Sequence, residues 1–211
     1  MSLDTNARDL GPERVREVAY HEAGHAVAYA ALGLNPGRVT IDTDADDQYL
    51  GRAGHQDFSI HRLFADVTAP HDAHAPEAPP QPGPPEGDHL AWLVFVGLRR
   101  SALAALAGPL AGYRVKREHE PGWTWADEWD MCAAETEDGD DWALVDEALS
   151  RIDGTPAQVA ALAERWRAEV DDLLTERWAA VERVATALIE RGTVSGDEVD
   201  DLVWGDEGTN T

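Results

Sequence analysis

Apolar positions along the chain fall into blocks of different period, and each block predicts a different element. Between Gly11 and Gly33, Val15, Val18 and Val27 recur with alanines filling the gaps. This pattern predicts a helix apolar over much of its surface and therefore buried. Gly11-Pro12-Glu13 offers its start, with Pro at the first helical position and an acid in the first turn, and Gly33 offers its stop. The β-branched run Val39-Thr40-Ile41 predicts a short strand, and a second extended piece is expected near "YLGRAGHQDF", residues 49–58. Residues 90–116, "LAWLVFVGLRRSALAALAGPLAGYRVK", turn apolar again and predict one or two buried helices. The small residues of "ALAGPLAG" permit close helix approach there, and Pro109 marks a kink or a second start. The Trp- and acid-rich "EPGWTWADEWDMCAAETEDGDD" that follows has no period that assigns it. "DDWALVDEALSRI" reads as a helix with Asp140 or Asp141 near its N-terminus. Thr155-Pro156-Ala157-Gln158 is a capping box, opening a stripe through Val159, Leu162, Trp166, Val170, Leu173, Trp178, Val181, Val184 and Leu188. A helical run that long is expected to break near Thr175. Ser195-Gly196-Asp197-Glu198 is a second expected capping box, opening a short helix through Val203.

These blocks predict a mainly α (α+β) domain over residues 11–204, with a small β-sheet or edge strand. Flexible tails are expected at 1–10 and 205–211. Residues 69–88 hold seven of the twelve prolines and show neither period, so an extended insertion within the domain is expected there.

Composition narrows the partners. Seventeen basic residues against 41 acidic ones leave a net charge of −24, which repels phosphate backbones and anionic headgroups. Nucleic-acid and membrane-surface roles are therefore not expected, while a polypeptide partner is compatible. No unbroken run of about 18 apolar residues occurs, and the N-terminus lacks the basic start and apolar core of a secretory signal. A single cysteine, Cys132, precludes an internal disulfide. The simplest location on these grounds is the cytoplasm.

Candidate chemistry sits in the first helix, where "VAYHEAGHAV" contains H-E-x-x-H at His21, Glu22 and His25. Residues four apart on a helix share a face, so His21 and His25 can place two imidazoles on one zinc ion. A catalytic zinc keeps three protein ligands and leaves the fourth position to water, from which Glu22 can take a proton as general base. Apolar residues flank the motif, and burying two histidines and a glutamate without partners would be costly. A metal site accounts for such burial, as does a hydrogen-bonded network. The extended form with a third histidine on the same helix requires Gly at 28 and His at 31, where alanines stand. The third ligand must come from further along, and 41 carboxylates leave spacing unable to choose.

The chain here resembles a known family. "VAYHEAGHAV" followed by "VTI" is similar to the peptidase domain of the FtsH family of ATP-dependent membrane proteases. "ALAGPLAGY" resembles that domain's small-residue helix, and "GDDWALVDEAL" the segment carrying its metal-binding aspartate. "LLTERWAAVERVATALIERGTVSGDEVDDLV" is similar to its C-terminal helices. The resemblance implies a zincin-like fold, Zn²⁺ bound by His21, His25 and Asp141, and Glu22 as catalytic base. Asp140 is the one-residue alternative for the third ligand. It also implies endopeptidase activity on unfolded or flexible polypeptide, held against an edge strand near residues 39–51. No G-x-x-x-x-G-K-[ST] motif occurs in these 211 residues. The chain is therefore expected to act without ATP, on its own, as a homo-oligomer, or with a separate unfoldase. The alternative is an inactive binding or regulatory module that keeps the same fold.

Other features invite weaker readings. "DTDADD" at 42–47 lacks the Gly and Glu of a calcium loop and reads as an acidic turn. His71 and His74 lie in the proline-rich insertion, where flexible ligands bind weakly. Trp166 and Trp178 belong to the helical stripe, whereas Trp123, Trp125 and Trp129 are candidates for a substrate cleft. Cys132 reads as a passive thiol.

Overall fold

A computed structural model describes residues 11–41, 51–53, 89–134 and 141–205. The protein is mainly helical with a small sheet. In chain order its elements are α1 (Pro12–Ala31), β1 (Val39–Ile41), β2 (Gly51–Ala53), α2 (His89–His119), α3 (Trp125–Ala134), α4 (Asp141–Ser150), α5 (Pro156–Glu176), α6 (Trp178–Arg191), β3 (Thr193–Val194) and α7 (Gly196–Trp204). His71, His74, Asp140 and the acidic turn at 42–47 lie outside the described residues.

α1 starts at Pro12 as its local chemistry dictates and ends in a tight reversal. Gly33 adopts φ 68°, which lets Leu34 N–H reach Tyr29 O at 2.8 Å and Gly33 N–H reach Ala30 O at 3.2 Å. The helix is buried from Ala23 through Ala30 and packs against α2, α6 and the sheet. α2 is one helix of 31 residues running through Pro109. A helical proline removes one i→i−4 bond, and burial of Ala102 through Ala107, Leu110 and Ala111 holds the helix together across the gap. Its stretch Val94–His119 matches a membrane span in length and composition, but 78% of its most apolar window is buried inside the fold. The search for an unbroken apolar run misses this stretch, because Arg99 and Arg100 interrupt it.

The capping box at Thr155–Gln158 is present, and the long stripe breaks at Arg177 between α5 and α6. The second capping box is only half formed. Ser195 Oγ accepts from Glu198 N–H, but the Glu198 carboxylate pairs with Arg191 instead of turning back on the cap. Trp166 is fully buried in the core with Val170 and Leu174, and Trp178 lies partly buried against Tyr20.

Sheet order corrects the expected peptide-binding edge. β1 is the middle strand, antiparallel to β2 through Val39↔Ala53 and Ile41↔Gly51, and to β3 through Val39↔Val194. Both sides of Val39–Ile41 are therefore occupied, and among the described strands the edges belong to β2 and β3. Strand propensity marks 39–41 as extended but carries no information on how many neighbours it acquires.

Candidate metal centre

The site is built where α1 meets α2. Gly24, between the two histidines, lets the helices touch: a Cβ there would stand 2.4 Å from Ala107 O and 2.7 Å from Ala111 Cβ. On the facing helix, a Cβ on Gly108 would stand 2.1 Å from His25 Nε2. Small residues at both positions thus bring the His25 ring against the α2 backbone, where its Nδ1–H donates to Ala104 O at 2.8 Å. A carbonyl can only accept, so this bond fixes the tautomer and leaves Nε2 of the neutral ring with its lone pair outward.

His25 Nε2 faces two further atoms. Asp141 Oδ2 is 2.9 Å away and His21 Nε2 is 3.1 Å away, while His21 Nε2 and Asp141 Oδ2 are 3.1 Å apart. The triangle joins the first helix to the first residue of α4. Lone pairs converging at that separation need a cation among them, either a proton or a metal. Ligands held about 2.0–2.1 Å from a tetrahedral zinc lie about 3.3 Å from one another, close to the 2.9–3.1 Å edges found. Two imidazole nitrogens and one carboxylate oxygen also suit zinc chemically. The residues present fit the ion.

The electrostatics agree with a seat for positive charge. Burial opposes charge on His25, but the Asp141 carboxylate, then Glu22 and the Ala104 carbonyl, push its pKa up to about 9. Burial also opposes ionisation of Asp141, yet His25 and hydrogen bonding from both histidines hold its carboxyl far below the usual range. Glu22 is 6% exposed, and its charge acts on both His25 and Tyr29. Tyr29 sits one helical turn beyond His25, and burial with the Asp141 and Glu22 charges pushes its phenol above the ordinary value.

One residue escapes sequence reasoning. Glu128 on α3 is 3% exposed and accepts from Trp123 Nε1 at 2.7 Å. A Cβ on Gly112 would have Glu128 Oε1 and His21 Nδ1 both 3.7 Å away, so the carboxylate and the imidazole meet over that bare backbone. Burial pushes the Glu128 carboxyl up, with Trp123, His21 and Lys116 opposing. This places a carboxylate behind His21, the arrangement that orients a metal-binding imidazole. Glu128→Ala is expected to weaken zinc affinity by about 10- to 100-fold, read by competition with a chelator of known affinity. An unchanged affinity would remove Glu128 from the site.

The three tryptophans separate into two roles. Trp123 lies over Lys116 and holds Glu128. Trp125 and Trp129 stack with Tyr113 and with Trp142, the neighbour of Asp141, at centroid distances of 4.0–5.7 Å. These rings pack partly buried against the core beside the candidate centre. Cys132 lies on α3 outside the cluster. A second grouping, Glu17, His119 and Glu120, brings potential ligand atoms within 4.8 Å of one another. There Glu17 is already engaged, by Arg14 at 3.0 Å and His119 at 2.9 Å. Comparison of the chain with models of known families and with the sequences of characterised proteins gives no match.

Proposed function

We propose that the chain is a zinc-dependent endopeptidase of FtsH-like type acting on unfolded or flexible polypeptide. The observation that carries this reading is the convergence of His21, His25 and Asp141 to within 3.1 Å, with Glu22 one residue from the first ligand. His21, His25 and Asp141 would hold the ion. When bound, zinc supplies Lewis acidity, polarising a substrate carbonyl and acidifying water. Every other contribution comes from the chain itself.

Ala104 fixes the His25 ring so that Nε2 alone faces the ion, and Glu128 behind His21 orients the other imidazole. Asp141 supplies the negative charge that makes the pocket neutral overall with the two imidazoles and one divalent ion only partly compensated, favouring an electrophilic centre. Glu22, buried beside the histidines, takes the proton from attacking water and returns it to the leaving amine nitrogen. A substrate segment must be extended to enter a site held between packed helices, and the outer side of β2 offers it backbone hydrogen bonds. This confines the substrates to chains lacking fold at the cut.

Glu22→Gln separates binding from chemistry. The variant should retain stoichiometric zinc yet hydrolyse an unfolded protein about 10²- to 10⁴-fold more slowly, the contribution of a general base. The parent should lose activity to a chelator and regain it with zinc. Equal rates in parent and variant would sink the role of Glu22. A protein that binds zinc but cuts no unfolded substrate would favour a binding module on the same fold.

A further inference from the structure

α2 carries two buried cations, and only one has a counterpart. Lys116 lies 3.7 Å from the centroid of the Trp123 ring and 4.0 Å from Met131 Sδ. Arg100 is 8% exposed, and its Nη1 is sealed from solvent with no hydrogen-bond partner among the described residues. Its neighbour Arg99 is satisfied by Glu169, and Arg114 by Asp171. A guanidinium stays charged under all ordinary conditions, and a buried charge without a counter-ion is strongly unfavourable. Burial, then the Arg99 charge, both act against Arg100, and no carboxylate acts in its favour. Scarcity of acids is not the reason, since the chain has 41 of them against 17 bases.

Arg100 stands one helical turn before Ala104, the residue whose carbonyl holds His25. The two Cα atoms are therefore separated by about 6 Å along the α2 axis. The planar fork of arginine matches a carboxylate through two parallel hydrogen bonds. A net charge of −24 opposes capture of small free anions from solution. A carboxylate delivered on a polypeptide already bound through its backbone does not depend on that long-range field.

We propose that Arg100 is a specificity-determining residue that receives a carboxylate of the polypeptide substrate, one helical turn from the group that positions His25. The proposal rests on the peptidase reading above. The carboxylate has two sources, the C-terminus of the substrate or an acidic side chain within it, and the chemistry at Arg100 is the same for both.

The test uses the full-length, zinc-loaded Glu22→Gln protein, which should bind substrate without cutting it. Calorimetry compares a short unstructured peptide with a free C-terminus and no acidic residues, the same peptide amidated, and the amidated peptide with one internal glutamate. One or both carboxylate-bearing peptides should bind about 10- to 100-fold more tightly than the neutral one, as a charge-assisted pair allows. Which of them gains identifies the source. Adding Arg100→Met should abolish the preference and raise or preserve the thermal midpoint, because an uncompensated charge has gone. Arg100→Lys keeps the charge, loses the fork and should lose most of the preference, which decides the matter if Arg100→Met does not fold. Equal affinities for the three peptides overturn this proposal alone. A preference that survives both substitutions also overturns it, as does a midpoint that falls in both, which assigns Arg100 a partner within its own chain. Failure of all three peptides to bind overturns the peptidase reading and this proposal together.

Discussion

Replacing Asp141 with asparagine should cost the protein its zinc while leaving its helices in place. The side chain keeps its shape and loses the charge that sits 2.9 Å from His25 Nε2 and 3.1 Å from His21 Nε2. Loss of an outer partner of a metal ligand weakens affinity by about 10- to 100-fold, and loss of a ligand should exceed that. Zinc content after dialysis against graded chelator measures the effect, with circular dichroism as the check on folding. Hydrolysis of unfolded substrate should fall with zinc content. Asp140→Asn is the matched control and should leave affinity unchanged. The opposite result, zinc kept by Asp141→Asn and lost by Asp140→Asn, would move the ligand by one residue.

Gly108→Ala should be nearly as damaging for a different reason. The new methyl would stand 2.1 Å from His25 Nε2 and 2.4 Å from its Cε1, so the ring must leave the Ala104 carbonyl or the helices must part. Forced overpacking of this kind costs about 1–3 kcal/mol, and either escape displaces a ligand. Denaturant unfolding and zinc retention should therefore both drop. Gly112→Ala, two residues short of the next turn of the same helix, meets only contacts of 3.6 Å and beyond. It should be tolerated, and the Gly-to-Ala change in a helix adds up to about 1 kcal/mol of propensity. Zinc binding by Gly108→Ala equal to that of the parent would show that the His25 ring does not depend on this close approach.

Local chemistry made several elements readable in advance. The Thr155–Gln158 cap, the proline start of α1 and the Gly33 reversal obey rules written within a few residues. The pair His21 and His25 was visible for the same reason, since helical spacing alone aligns them. α3 was not readable, although Thr124 and Asp127 cap it reciprocally at 2.8 and 3.2 Å. An aspartate at the third helical position stands where the usual glutamate or glutamine is sought, and the clustered tryptophans obscure the period. Pro109 suggested a break that burial on both sides overrides. The role of Glu128 depends on contact across Gly112, and the place of β1 depends on a strand more than 150 residues later, Thr193–Val194. Neither relation leaves a trace in local pattern.

The centre ties together parts of the chain that are far apart: His21 and Asp141 are separated by 120 positions, and His25 and Ala104 by 79. An unfolded chain offers the ion little more than two imidazoles four residues apart, so zinc should bind the folded form with strong preference. Mass action then makes fold stability a function of free zinc, by about 4 kcal/mol when the ion is at a thousand times its dissociation constant. Closing so long a loop also makes the junction between α1 and α4 a late event in folding. Zinc limitation would therefore act first on the number of intact molecules, through their turnover, and only second on the rate at which each one works.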